Sequence, residues 1–266
     1  MLQTVRSESI FQSQAPAELG HQLHVALTRK PEDIRAAQRL RYQVFVEEMG
    51  AGTGDAVSRI EQDEFDPYCI HLLVRDAAHH NQVVGCYRIL TGDEAARAGS
   101  YYSQTEFDLG RILGLPGRFM EVGRTCVHPD YRNGATVSLL WQGLARFMMT
   151  HKFDYLMGCA SIPLDKGMDY ITALYAALNE QHSSPPEQRV YPHLPLFNSM
   201  PHHVAGPVPI AIPALLNAYL RMGAVVCGEP AWDPQFNVAD LFILLAARRI
   251  HTRYARHFIE RVDRAA

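Results

Sequence analysis

The chain has 266 residues, 47% of them hydrophobic, with a formal net charge of −3 and a pI near 6.5. This is enough apolar material for a full core in one large domain, and the basic residues are dispersed, so the electrostatic footprint of a nucleic-acid binder is absent. Cys69, Cys86, Cys126, Cys159 and Cys227 are widely spaced, odd in number and without a Cys-x-x-Cys pair, which reads as small buried hydrophobes in a reducing compartment.

Residues 1–19, rich in Ser, Gln and Ala, read as a flexible tail ahead of a single domain over residues 20–266. Arg6 and Glu8 interrupt any apolar central region there, so a secretory signal is not expected and a cytoplasmic location is. Pro31-Glu32-Asp33 opens a helix whose Ile34, Leu40, Val44 and Phe45 recur at helical spacing, with Gln38, Arg41 and Glu47 on the polar side and Gly50 and Gly52 at its end. A polar loop through Glu61, Asp63 and Asp66 leads to a strand at Ile70–Val74. His79-His80-Asn81 turns it into a second strand at Val83–Leu90, forming a hairpin.

Further strands are expected at Phe119–Val127 and Tyr155–Ser161, with helices at Ala135–Thr150 and Met168–Gln181, giving the order α-β-β-β-α-β-α. Residues 183–213 carry eight prolines, which forbid a helix or central strand, and read either as a functional cover or as a packed connector. Ala214–Met222 follows as a helix, Ala224–Cys227 and Leu241–Ala246 as paired strands, and Arg248–Val262 as a closing amphipathic helix. In that last helix Ile250, Tyr254, Phe258 and Val262 form an apolar stripe, with Arg249, Arg253, Arg256 and Arg261 mostly elsewhere. Such a helix suits an anionic lipid surface or an acidic carrier protein, and equally a docked terminal helix with a basic outer face. The longest apolar run, Leu241–Ala247, is far short of the ~20 residues that span a bilayer, so any membrane contact is peripheral.

The segment from Arg118 to Phe147 carries the most chemistry. An apolar strand bearing Glu121 and Arg124 runs through His128-Pro129-Asp130-Tyr131 into Arg132-Asn133-Gly134-Ala135 and an apolar-periodic helix. A helix N-terminus presents unpaired N–H groups and a partial positive charge, so Arg132, Asn133, Gly134 and Ala135 read as a cradle for a phosphate ester. A glycine at such a junction is otherwise only conformational punctuation.

This strand and turn resemble those of the GNAT acyltransferase superfamily. The turn has Gly134 and no clear second glycine, which suits the single phosphate of a phosphopantetheine arm on acyl carrier protein better than a pyrophosphate. Leu40-Arg41-Tyr42-x-x-Phe45, Asp63-x-x-Asp66, Gly85-x-x-Arg88 and Glu121-x-x-Arg124 are similar to the signature of acyl-homoserine-lactone synthases, although Met49 stands in the region of their tryptophan and points away from S-adenosylmethionine. The stretches Gly123–Pro129, Arg132-Asn133-Gly134, Tyr219-Leu220-Arg221-x-Gly223-Ala224 and Phe236-Asn237-x-x-Asp240-Leu241 resemble the ornithine lipid-forming N-acyltransferases over roughly residues 25–260.

The resemblance implies a single α/β domain of GNAT-like architecture, a mixed twisted sheet flanked by helices. It also implies transfer of a (3-hydroxy)fatty acyl group from acyl carrier protein to the α-amino group of ornithine, with no bound cofactor. Glu121 is then the candidate base that deprotonates the amine, and the backbone near Gly123 the candidate donor to the thioester oxyanion. The simpler readings are a buried carboxylate paired with Arg124 or Arg88, and a glycine that relieves crowding.

Arg41, Asp63, Asp66, Arg88 and Arg124 are candidate substrate contacts, arginines suiting a carboxylate and carboxylates a second ammonium; structural ion pairs are the plain alternative. His202-His203 lacks Cys or carboxylate neighbours and is not expected to hold a metal, and Cys126 and Cys159 are expected in the core. The other functions compatible with these residues are a different N-acyl amino acid or acyl-homoserine-lactone synthase, and a catalytically silent acyl-carrier or lipid-binding module.

Overall fold

Pro31 stands at the first helical position, where its missing N–H costs nothing, and Glu32, Asp33, Arg39 and Arg41 match the helix dipole at the two ends of α1 (Pro31–Arg41). The helix does not stop there. It widens into a π-helical segment, Tyr42–Glu48, before Gly50. The computed structural model describes residues 21–132, 134–200 and 209–250. The expected N-terminal tail, Asn133, His202 and His203, and the closing helix beyond Ile250 lie outside the described residues.

The remaining elements in chain order are β1 (Leu23–Thr28, ahead of α1), β2 (Ile70–Asp76), β3 (Gln82–Thr91), α2 (Gly92–Ala98), β4 (Phe107–Asp108), α3 (Gly110–Leu113), β5 (Phe119–Val127), α4 (Ala135–Thr150) and β6 (Tyr155–Pro163). They continue as α5 (Met168–His182), β7 (Tyr191–Pro192), α6 (Leu196–Ser199), α7 (Ala214–Met222), β8 (Val225–Val226), β9 (Ala231–Asp233) and β10 (Val238–Ala246). The expected mixed α/β architecture with flanking helices is present. The expected order is corrected: it omits β1, the short elements between β3 and β5, β7 and the single-turn α6 inside the proline-rich segment, and β9, whose few residues carry no sustained period.

The described residues divide into two compact units, and β5 begins in one and ends in the other. The first unit holds residues 21–94 and Val122–Lys152. Its strands run in the order β1-β2-β3-β5. β1 pairs antiparallel with β2 from Leu23↔Asp76 to Thr28↔His71, and β2 with β3 from Ile70↔Ile89 to Asp76↔Gln82. His80 and Asn81 take left-handed φ of 52° and 57° in the connecting turn, as the hairpin needs.

Alternation then divides the hairpin residues between two helices. Leu73 and Cys86 join Ala37, Leu40 and Val44 of the α1 layer in one buried cluster. Leu72 and Gly85 face α4: a Cβ on Gly85 would stand 2.7 Å from Thr136 Cγ2, and one on Gly143 of α4 would stand 2.7 Å from Leu72 Cδ1. Buried Asp76 fastens the hairpin end, accepting from Gln22 N, Ala78 N and the Tyr131 hydroxyl at 3.0 Å each.

The second unit holds Ala95–Glu121 and the described residues from Phe153. β6 pairs antiparallel with β10 along its full length, from Val238↔Pro163 to Ala246↔Tyr155. On its other side β6 pairs in parallel with β5 at Phe119↔Tyr155, Met120↔Leu156 and Glu121↔Met157. β8 and β9 both pair with β10. The described part of the proline-rich segment is a packed connector: Val190 N bonds to Cys227 O at 2.7 Å, His193 N to Glu106 O at 2.8 Å and Leu196 N to Pro230 O at 3.0 Å. Among the described residues no helix is long and apolar enough to cross a membrane.

The Gly85 contact gives a measurable expectation. Gly85→Ala overpacks the sheet against Thr136 and Leu140, and is expected to lower unfolding stability by about 1–3 kcal/mol with an unchanged denaturant m-value, read from a urea melt.

Candidate active site

The loop that follows the π-helical segment closes over the α1 face of the hairpin and brings all five expected substrate contacts together. Arg41, only 1% exposed, donates to Asp66 at 2.7 and 2.9 Å and to Glu61 O at 2.8 Å, and its Nε pairs with the Glu61 carboxylate. Arg88 of β3 pairs with Asp63 and, at 3.2 Å, with Asp66. Arg124 of β5 reaches Glu61 at 3.2 Å and Asp63 at 3.0 Å.

Three guanidinium groups thus face three carboxylates, and the network is charge-balanced. Glu61 was not singled out in the sequence, yet its side chain is fully buried and pairs with two of the arginines. Burial works to raise the Asp66 carboxyl, but the hydrogen bonds and charge of Arg41 and the charge of Arg88 outweigh it and hold Asp66 well below the usual range. Asp63 is likewise held low by Arg88 and Arg124 against its own burial.

Arg124 takes a left-handed φ of 49° in the middle of β5. A non-glycine residue in that region costs on the order of 1–3 kcal/mol and persists only where its surroundings fix it, and here the Glu61 and Asp63 pairs do so. Gly123, immediately before it, has ordinary φ, and a Cβ there would meet nothing within 4 Å. Crowding therefore does not explain the glycine.

In the second unit, Glu121 is 4% exposed and accepts from Tyr102 N and Ser103 N at 2.7 Å each, one donor to each carboxylate oxygen. These amides belong to the 3₁₀ turn Tyr102–Thr105, which the strand pattern did not announce. The Ser103 hydroxyl lies 3.3 Å from the Cys159 thiol.

The segment expected to cradle a phosphate is the start of α4. Gly134 is the N-cap with φ +83°, no side chain caps this end, and no acidic residue occupies the first turn. The preceding 3₁₀ turn, Pro129–Tyr131, is capped by the His128 ring, which accepts from Asp130 N at 3.3 Å. Arg132 is half-exposed and donates in fork geometry to Glu48 at 2.6 and 2.7 Å, and Glu48 is held below the ordinary carboxylate range by those bonds.

A second acidic group escaped the sequence reading. Glu106, Asp233 and Asp240 bring a carboxylate oxygen each to within 4.8 Å of one another. Asp240, an acid inside the otherwise apolar β10, was the available signal.

Comparison with known proteins supplies the family. Residues 40–142 match the acetyltransferase (GNAT) domain model. An L-ornithine N(alpha)-acyltransferase of Rhodobacter capsulatus is 37% identical over 94% of this chain and 98% of its own. Proteins of the same name from Brucella abortus and Rhizobium meliloti are 36% and 37% identical over 89% of this chain, covering 88% and 84% of theirs. The chain belongs to the L-ornithine N(alpha)-acyltransferase family. Among solved structures, a CoA-dependent acyl-homoserine lactone synthase, BjaI, with MTA superimposes with a TM-score of 0.54 at 18% identity, covering 92% of this chain and 90% of that one. The same synthase with SAM and isopentyl-CoA gives 0.53 at 16% identity, covering 88% and 83%. At that identity the likeness is one of fold, and it agrees with the expected GNAT-like architecture. The family is one of N-acyltransferases, so the chain is an enzyme that acylates an amine.

The network also sets the response to acid. His71, buried on β2 with its Nε2 3.4 Å from Asp66 O, is driven down to about 4 by burial, with the Asp66 charge opposing and the Arg41 charge assisting. Its folded value lies below the unfolded ~6.5, so protonation favours the unfolded chain, and stability is full above ~6.5 and drains as pH falls toward 4. Asp63 and Asp66 are depressed as well, so their contribution is full above ~4 and drains below it. Thermal melts from pH 7 to 3 are expected to show both phases, and His71→Gln to diminish the upper one, which His24, also held low by burial, shares.

Proposed function

We propose that this enzyme transfers a (3-hydroxy)fatty acyl group from the phosphopantetheine thioester of acyl carrier protein to the α-amino group of ornithine, forming a lyso-ornithine lipid. Similarity to L-ornithine N(alpha)-acyltransferases at 35–37% identity over 89–94% of the chain carries this reading. The amine nitrogen attacks the thioester carbonyl, the C–N bond forms as the carbonyl electrons move to oxygen, and collapse of the adduct breaks the C–S bond. The proton lost by the amine ends on the departing thiol, so the base is regenerated.

Glu121 is the residue we assign as that base, directly or through a water. It lies on the apolar β5, and the Tyr102 and Ser103 amides fix its carboxylate. The oxyanion is assigned to the backbone beside Gly123, where the open space next to the missing side chain admits a reacting group and Arg124 distorts the strand. For the phosphate, the N-terminus of α4 at Gly134 and Ala135 supplies backbone donors. Arg132 joins them by exchanging Glu48 for the phosphate, since an exposed ion pair is worth only about 0–1 kcal/mol. Of the balanced network, Asp63 and Arg124 form the accessible edge, with side chains 14% and 10% exposed, and we assign the acceptor contact to them. Arg41, Asp66 and Arg88 hold them. The lipid-like product favours work at the cytoplasmic membrane face, with acyl carrier protein as the soluble partner.

The test is thiol release from 3-hydroxyacyl carrier protein with ornithine, glycine, S-adenosylmethionine or no acceptor, with mass analysis of the product. An acyl-ornithine mass with ornithine alone supports the reading; release with another acceptor changes the substrate, and none with any acceptor overturns it. Glu121→Gln is expected to lower kcat by about 10²–10⁴ with little change in the KM for acyl carrier protein. Its new amide also sets a donor against one backbone N–H, so a lowered Tm is expected as well. Arg132→Ala is expected to raise the KM for acyl carrier protein by about 3–10-fold at constant kcat, as loss of a charge-assisted contact worth roughly 1 kcal/mol would give.

A further inference from the structure

In the cluster of Glu106, Asp233 and Asp240, two of the three acids accept hydrogen bonds from uncharged protein donors. Asp233 Oδ1 accepts from Gln235 N at 2.8 Å and Phe236 N at 3.1 Å, and Asp240 Oδ1 accepts from the Ser161 hydroxyl at 2.6 Å. Both carboxylate oxygens of Glu106 are buried without a well-formed hydrogen bond among the described residues, although the Tyr102 side chain stands close enough to favour the charged form. A poorly satisfied buried carboxylate is costly in general, and a ligand that completes it is one reason for native structures to keep it.

Burial, then the charges of Asp240 and Asp233, push the Glu106 carboxyl well above the ordinary range, with the Tyr102 side chain opposing. Its neighbours tie it to the assigned base. The Cys159 thiol is pushed up by burial and then by the charges of Glu106, Asp240 and Glu121, so all three act on one thiol. Ser103 gives its N–H to Glu121 and sets its hydroxyl against that same thiol. Register agrees: Glu121↔Met157 and Asp240↔Ser161 flank Met157, Cys159 and Ser161, which share one face of β6 by alternation.

We propose that Glu106, Asp233 and Asp240 form the subsite for the side-chain ammonium of the amino-acid acceptor, which rests on the acyl-transfer reading above. An alkylammonium has three N–H donors and no acceptor, one for each carboxylate. Ca²⁺ or Mg²⁺ would instead demand six or more oxygens, whereas an oxygen of Asp233 and one of Asp240 are already committed to protein donors. The α-amine must be neutral to attack, but the side-chain amine stays charged at neutral pH, so a carboxylate subsite holds one end of the diamine and leaves the other to Glu121. Selection of a diamino acid over a neutral one follows.

The test compares kcat/KM for ornithine and for norleucine, which replaces the terminal ammonium by a methyl group, in the full-length protein and in Glu106→Gln. The wild type is expected to prefer ornithine by about 100-fold or more, the selectivity that two or more charge-assisted hydrogen bonds provide. Glu106→Gln is expected to reduce the ratio by at least about 10-fold, through the KM for ornithine, with kcat within a few-fold and Tm unchanged or raised by relief of like charge. Asp240→Asn should move the ratio the same way. An unchanged ratio and ornithine KM in folded Glu106→Gln overturns the proposal. So does a stoichiometric divalent ion in the purified wild type that the variant lacks. If the wild type acylates no amino acid, the acyl-transfer reading fails by itself. Calorimetric titration of ornithine into wild type and Glu106→Gln then decides the subsite: binding lost in the variant supports it, and equal or absent binding overturns it.

Discussion

The burial of three arginines with three carboxylates is the constraint on which the first unit is built. Each of these charges would be prohibitively costly alone in the interior, so Arg41 can be almost completely enclosed only because Glu61 and Asp66 are enclosed with it. The pairs join α1, the loop that follows the π-helical segment, β3 and β5. A network of this kind need not add net stability over well-packed apolar residues. Its effect is geometric: four segments distant in sequence are held in one arrangement, because any displacement leaves a buried charge unpaired.

The consequence appears on β5. Arg124 adopts a backbone conformation that an L-residue resists, and its guanidinium is held at both Glu61 and Asp63. The strain sits next to Gly123, whose missing side chain leaves open space, and after Glu121, whose carboxylate two amides fix. Fixing a base and distorting the strand beside it are separate tasks, and the sequence Glu121-x-x-Arg124 encodes both through different partners. The spacing of the motif reflects the need for Glu121 to serve one set of neighbours and Arg124 another.

Long periodic elements are legible in the amino-acid sequence itself. α4 begins at Ala135 and ends at Thr150 as its apolar pattern and the Gly134 turn require, and β2, β3, β5, β6 and α7 fall where alternation or helical spacing puts them. The residues of the charged motifs were legible too, but their pairing was not. Asp63 and Asp66 look like solvated loop acids until the arginines of three other segments close on them. β1 escaped because only Leu23 and Val25 of its six residues are buried, too short a signal to set against His24 and Thr28. The β4–β7 and β9 pairings escaped because two or three residues cannot show a period, and long-range contacts alone define them. Of the acidic cluster, Asp240 stood out in an apolar strand, but Glu106 and Asp233 acquire meaning only through the fold.

The two charged groups differ in a way that separates architecture from recognition. The arginine network is closed: each guanidinium finds carboxylates and each carboxylate finds guanidinium donors, so little of its charge is left to select a ligand except at its Asp63 and Arg124 edge. The Glu106 cluster is open: three acids converge, with hydroxyl and amide donors on two of them and no well-formed donor on the third among the described residues. Folding forces carboxylates together against their mutual repulsion only when something else over-determines their positions, and here the full-length pairing of β10 with β6 and of β9 with β10 does so. The repulsion is then carried by the empty protein and relieved by a cation. An enzyme whose acceptor carries two amines must hold one as an ammonium while deprotonating the other. An excess of buried negative charge beside the base meets the first requirement at the same time as Glu121 meets the second.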